Sequence, residues 1–341
     1  MTVVEDFLTR FSVNESQTLS LLESAIGGPL VGFTVSLPDT EDAYGSDKQL
    51  INFRCFPPTG EAVEKTIFVK KCVWKSKSEA VHYRYLASEG IATPCLYGAV
   101  QNAVGEEVIF LEPVTAIGFD EQSEGEWREM LSLLAHLNAC PVTPEYALHL
   151  HPYEQVGQID PNFCITGLNA HPSGEEVGAG LRACGVSESE LPRLTQAARR
   201  VFAEVEAQPR GLLHQDFFPN NFGWRREREE IVVFDLHKNS LGPRFADVSP
   251  YLSVPDWSGH KAFLDNSERE TDTRREALTR HYLEEYARFG GTPASAETFR
   301  AETAALSWAH KVSVLLWLAE RKEEGAVRET LQFLRHLSAV V

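Results

Sequence analysis

The chain has 341 residues, 49 of them acidic and 32 basic, for a formal net charge of −17 at pH 7. That balance argues against nucleic acid or an anionic membrane as the main partner and suits either a cationic small molecule or simply an acidic, soluble surface. Six scattered cysteines (Cys55, Cys72, Cys95, Cys140, Cys164, Cys184) without a C-x-x-C pair read as small buried hydrophobes in a reducing compartment; with no apolar leader and no apolar run of bilayer length, a cytoplasmic protein is expected.

Residues 1–24 carry Phe7, Leu8, Phe11, Leu19, Leu21 and Leu22 at roughly helical spacing, interrupted near Asn14. After Gly27-Gly28-Pro29 the texture becomes β-like, and 31–37, 49–56 and 66–72 read as three strands. Pro57-Pro58-Thr59-Gly60 supplies the turn between the last two. A helix is expected over 78–88, then strands over 95–100 and 108–111. Past Pro113 the pattern is mainly helical. Segment 126–138 sets Trp127, Met130, Leu131, Leu134 and Leu137 on one face, and helices are expected over 191–207, 277–289 and 296–340, the last broken near Glu323-Glu324-Gly325. The fold class is therefore α+β: a small β-rich N-lobe over 1–112 and a larger α-helical C-lobe over 113–341.

The most informative stretch is Leu213-His214-Gln215-Asp216-Phe217-Phe218-Pro219-Asn220-Asn221, followed by Ile231-Val232-Val233-Phe234-Asp235. An Asp, an Asn five residues on and a second Asp closing an apolar run have the spacing of a kinase-type phosphoryl-transfer site. In that pattern Asp216 is the catalytic base or orients the attacking hydroxyl, and the hard oxygens of Asn221 and Asp235 hold Mg²⁺. Pro219 stiffens the loop, His214 fixes it by packing and hydrogen bonding, and 224–230 forms a polar hairpin tip between two apolar strands.

With Gly242-Pro243-Arg244-Phe245-Ala246-Asp247 downstream, this constellation resembles the aminoglycoside phosphotransferase and choline kinase group, small-molecule kinases of protein-kinase-like fold. The likeness is sharpest over 211–252 and extends from about 25 to 335. It implies a bilobal kinase fold, ATP and Mg²⁺ as cofactors, and a small-molecule hydroxyl as acceptor. It also makes Asp247 a structural brace of the loop. Two positions depart from the group: Gln215 stands where Gly is frequent between His and Asp, and Leu236-His237 stand where Gly usually follows the metal Asp.

The same resemblance asks the N-lobe for a strand lysine and a helix carboxylate. Lys70, at the end of Ile67-Phe68-Val69-Lys70-Lys71, is preferred over Lys71, whose side chain points to the other face. Glu79, in a Glu-x-x-x-Tyr pattern with Tyr83, is its expected partner. Ser46, within Tyr44-Gly45-Ser46-Asp47, is placed at the phosphates, and Glu112 and Val114 contact adenine through their backbone. An aminoglycoside-like acceptor comes first, ahead of choline, homoserine, a sugar or another small alcohol; a nucleotide-binding pseudokinase is the reading from another class. Asp256, Trp257, Asp265, Glu268, Glu270, Asp272, Trp308 and Trp317 lie in the region that would read acceptor identity, and none is singled out.

Overall fold

The computed structural model describes residues 3–37, 47–72, 77–117, 123–153, 174–225, 229–252 and 268–321, with Leu331 and Arg335 beyond them. The chain divides into two compact units, one made of Met1–Phe119 with Phe218–His237 and one of Asp120–Phe217 with Lys238–Val341. The expected boundary at 112/113 leaves 218–237 with the C-lobe, whereas by contacts that segment belongs to the first unit. The reason is strand pairing: Thr115–Ala116 (β6) pairs with Phe222–Arg225 (β9), which pairs with Glu230–Val233 (β10).

The first unit is built on a five-stranded antiparallel sheet of order β1-β2-β3-β5-β4. Its strands are β1 (Gly32–Ser36), β2 (Lys48–Phe56), β3 (Val63–Cys72), β4 (Leu96–Gln101) and β5 (Glu107–Leu111), each within three residues of its expected limits. Alternation decides which face is buried: Ile51, Phe53 and Cys55 of β2 point inward while Arg54 is exposed. The N-terminal segment is two helices, α1 (Val3–Phe11) and α2 (Glu15–Ile26). Asn14, the apparent interruption, is the N-cap of α2 and forms a capping box with Gln17. Phe7 and Phe11 from α1 pack with Phe53 and Phe110 of the sheet, Phe7 and Phe53 edge to face at 5.4 Å. Helix α3 (Glu79–Ser88) follows β3, capped by Ser78, whose hydroxyl also donates to Glu107 at 2.6 Å.

The second unit is helical around a small sheet of order β7-β11-β8, formed by His151–Pro152, Ser240–Pro243 and Arg210–Leu213. Helix α4 (Glu124–Ala139) buries the predicted stripe of Trp127, Met130, Leu131, Leu134 and Leu137, and begins with a Ser123/Glu126 capping box. The helix over Leu191–Ala207 has its expected limits, that over Glu268–Arg288 starts nine residues earlier than expected, and Ala296–Arg321 begins where predicted. The Gly-Pro-Arg segment has a packing logic. A Cβ on Gly242 would stand 2.2 Å from the Tyr153 ring. Arg244 grips Glu302 with two nitrogens, at 2.9 and 2.7 Å, and donates to the Thr292 carbonyl.

No disulfide occurs among the described residues. Cys55, Cys72, Cys140 and Cys184 are buried as expected; Cys95 is exposed, a correction to the all-buried reading, and Cys164 lies outside the described residues. No helix of the described residues is long and apolar enough to cross a membrane.

Candidate active site

In the first unit, three distant segments bring charged groups to one point. Lys70, near the end of β3, places its ammonium 2.7 Å from Glu79 Oε1 and 2.6 Å from Asp235 Oδ1. Glu79 opens α3, and the same face of that helix carries Tyr83 one turn on, whose hydroxyl accepts the backbone N–H of Asp235 at 3.2 Å. Lys71 points to the other face of the strand and reaches Asp47 and Glu106 at 3.4 and 3.9 Å. The preference for Lys70 over Lys71 thus corresponds to opposite placements, one lysine buried among carboxylates and one at the sheet's outer side.

Burial sets the electrostatics of this cluster. Only 7% of the Lys70 side chain and 1% of the Glu79 side chain are exposed. Burial by itself lowers the Lys70 ammonium, but Glu79 and Asp235 outweigh it and hold the lysine above its ordinary range. Burial likewise disfavours the charged Asp235 carboxylate, yet Lys70, His237 and Lys48 hold it well below the ordinary carboxyl range. Two of those partners escaped the sequence reading. Lys48, the first residue of β2, donates to Asp235 Oδ2 at 2.6 Å, and His237 Nδ1 lies 2.6 Å from Oδ1. Both are polar residues flanking an element end, a weak signal without the fold. Cys72, two residues past Lys70 on the same face, directs its thiol to Glu79 Oε2 at 3.3 Å, and burial, with Glu79, pushes that thiol up.

Asn221 closes a short 3₁₀ turn, Pro219–Asn221, and is buried. Its carbonyl accepts the N–H of Phe234, fastening the turn to the residue before Asp235. Asp235 has φ +63°, in the left-handed region that Asp tolerates better than most side chains. Beneath the hairpin there is no room for a side chain at Gly223: its Cβ would lie 2.9 Å from Val114 Cγ2 and 3.0 Å from the Thr115 carbonyl. Glu112 and Val114 therefore sit on the segment joining β5 to β6. The Glu112 carboxylate takes an N–H from Arg225 at 3.0 Å and the Cys95 backbone N–H at 3.0 Å. Ser46 lies outside the described residues.

In the second unit, the loop after β8 carries His214, Gln215 and Asp216. Asp247, buried, accepts the backbone N–H groups of His214 at 2.7 Å and Gln215 at 2.8 Å. Burial raises the Asp247 carboxyl, opposed by His214 and these N–H groups. Asn138, a polar residue at the end of the apolar stripe of α4, donates to Asp247 at 3.2 Å and to the Leu212 carbonyl at 2.7 Å, and accepts from Tyr282. His214 Nδ1 faces the N–H of Asp216 at 3.2 Å, and the Tyr251 hydroxyl donates to the Phe217 carbonyl. Each residue from His214 to Phe217 is tied down by its backbone. Asp216 is left with 23% of its side chain exposed, and Lys238 Nζ stands 3.2 Å from its Oδ1. Lys238, three residues after Asp235, is a further neighbour that the sequence reading passed over.

Of the acceptor-region residues, Asp256, Trp257 and Asp265 lie outside the described residues, and Trp308 is buried in the core.

One unit thus carries a buried lysine–glutamate–aspartate cluster, and the other a braced loop bearing a partly exposed aspartate. The chain belongs to the phosphotransferase enzyme family (APH), whose model matches residues 77–291, more than half of the chain; it is a small-molecule kinase with the α+β organisation expected of that group. No curated protein sequence matches it. Among solved structures it is similar to spectinomycin phosphotransferase APH(9)-Ia in complex with ADP and spectinomycin, at 14% identity, 95% and 94% coverage of the two chains and a TM-score of 0.45. A Plasmodium vivax ethanolamine kinase gives 12% identity, 90% and 82% coverage and 0.47. A putative aminoglycoside phosphotransferase from Ralstonia eutropha JMP134 gives 13%, 93% and 95%, and 0.48.

Proposed function

We propose that this chain is an ATP- and Mg²⁺-dependent phosphotransferase that moves the γ-phosphate to a hydroxyl of a small molecule, an aminoglycoside-like acceptor being the first choice. Choline, homoserine, a sugar or another small alcohol follow. The observation that carries the reading is the convergence of Lys70, Glu79 and Asp235 within hydrogen-bond distance from three separate segments. Burying charges costs several kcal/mol each, which pairing only offsets, so an apolar cluster would serve a scaffold as well, and the retained charges point to machinery.

The roles divide along the chain. Residues 1–112 form the nucleotide-binding lobe, and residues 113–341 carry the metal ligands, the base and the acceptor site, the segment 218–237 packing with the first unit. Lys70, oriented by Glu79, binds nucleotide phosphate oxygens. Glu112 and Val114 present backbone groups to the adenine, and Ser46 belongs to the loop over the phosphates. The donor set fits a hard divalent cation: Asp235 already gathers cations on both oxygens, and Asn221 adds an amide oxygen. Mg²⁺, when bound there, neutralises charge on the transferring phosphoryl group. Asp216 orients the acceptor hydroxyl and takes its proton, and Lys238 holds Asp216 in place. The net charge of −17 suits a cationic acceptor.

The deciding experiment is acceptor-dependent ADP release from Mg·ATP over a panel of aminoglycosides, choline, ethanolamine, homoserine and simple sugars, with Asp216→Ala as the blank. Release stimulated by one acceptor class and lost in the variant is expected. Failure of the wild-type chain to bind Mg·ATP would overturn the reading in favour of a non-catalytic relative.

A further inference from the structure

The position of Lys48 is not explained by the roles above. It lies directly opposite Lys70 in the β2/β3 ladder, so both side chains leave the same face of the sheet. Like charges directly opposite one another are unfavourable in a sheet. Here one carboxylate separates them: Lys70 takes Asp235 Oδ1 at 2.6 Å and Lys48 takes Oδ2 at 2.6 Å. The two lysines are not equivalent. Lys70 is buried and held by both oxygens of Glu79, at 2.7 and 2.6 Å. Lys48 has 35% of its side chain exposed and Asp235 as its only carboxylate partner among the described residues. His237 crowds Oδ1 as well, which leaves Oδ2 as the oxygen a metal ion can claim.

Resting on the assignment of Asp235 as a metal ligand, we propose that Lys48 is an exchangeable cation. It occupies the metal-facing oxygen of Asp235 until a divalent cation arrives with a polyphosphate, and then pairs with the phosphate oxygens. The charge count gives the reason. Lys48, Lys70, Glu79 and Asp235 sum to zero, so a bare divalent cation enters against two ammonium groups and displaces one from its counter-ion. A metal–nucleotide complex brings the anion that the displaced ammonium needs. Lys48 therefore makes metal and nucleotide binding mutually dependent, a coupling that must be reciprocal.

Mn²⁺ binding followed by electron paramagnetic resonance, with and without ADP, tests this in the full chain. Lys48→Gln is expected to bind Mn²⁺ alone about tenfold more tightly, the effect of removing one unit charge a few ångströms away. The factor by which ADP tightens Mn²⁺ is expected to fall by about ten- to a hundredfold, the worth of a charge-assisted contact to phosphate. Lys48→Arg, which keeps the charge, should behave like the wild type. A lysine that merely supported the fold would leave Mn²⁺ binding unchanged or weaken it on removal, and either result, or no detectable Mn²⁺ on Lys48→Gln, overturns the proposal. Asp235→Asn separates the two levels. If it retains wild-type Mn²⁺ affinity, the metal assignment itself fails; if it loses Mn²⁺ while Lys48→Gln matches the wild type, only the role of Lys48 fails.

Discussion

Asp247 accepts the backbone N–H of Gln215 at 2.8 Å, and Gln215 has φ +63°, a conformation that glycine adopts freely and glutamine does not. A buried carboxylate thus holds the residue before the candidate base in a left-handed turn. The loop's shape is enforced from outside rather than chosen by its own residues.

Removing that carboxylate should release the loop. Asp247→Ala leaves two buried N–H groups, at His214 and Gln215, without an acceptor, at roughly 1–3 kcal/mol each. Asp247→Asn keeps one acceptor oxygen and should lose about half as much. Urea denaturation checks the ranking, and faster amide exchange at Gln215 than in the core strands should accompany it; equal stability of Ala and Asn variants would contradict it.

Gln215→Gly and Gln215→Ala should separate backbone strain from side-chain bonding. Both lose the hydrogen bond from Gln215 to the Ser240 hydroxyl. Only glycine also relieves the positive φ, worth about 1–2 kcal/mol, offset by about 0.5–1 kcal/mol of unfolded-state entropy. The glycine variant should therefore be the more stable of the two by thermal melting, and alanine matching it would mean the turn is unstrained.

Lys70→Met should cost about 3–5 kcal/mol, because Glu79 and Asp235 would remain buried with a lost partner. It should also abolish measurable nucleotide binding. Lys71→Met, which removes longer, partly exposed contacts to Asp47 and Glu106, should cost about 1 kcal/mol or less. Calorimetric titration with ADP on both variants decides the assignment.

Asp235 makes a pH prediction of definite sign. Its folded-state pKa is depressed, through Lys70, His237 and Lys48 acting against burial. Its stabilising contribution is therefore complete above the unfolded carboxyl value of about 3.9 and is lost as pH falls through the lower folded value. The stability gap between wild type and Asp235→Asn should persist at neutral pH and close on acidification below about pH 4. A gap that widens in acid would reverse the sign of the assigned shift.

The sequence carried much of this protein by local rules. Strand-like composition between turn residues marked the N-lobe strands, the Trp127–Leu137 stripe marked α4, and Asp216, Asn221 and Asp235 stood out as candidates by their kinase-like spacing. Lys70 is preferred to Lys71 by its fit to the strand-lysine pattern, and alternation sends the two side chains to opposite faces.

What the sequence could not supply were partners set by long-range closure. Lys48, His237 and Lys238 look like ordinary polar residues at element ends, and Asn138 like a defect in an apolar face. Lys48 meets Asp235 across 187 residues and Asn138 meets Asp247 across 109, while His237 finds Asp235 through the local turn that follows it. The allegiance of 218–237 was also invisible, since it depends on the two-residue strand Thr115–Ala116, too short to leave a periodic signal. Spacing along the chain determined which chemistry is present; the tertiary structure alone decided which charges balance it, because electrostatic energy depends on distance in space and not on distance in sequence.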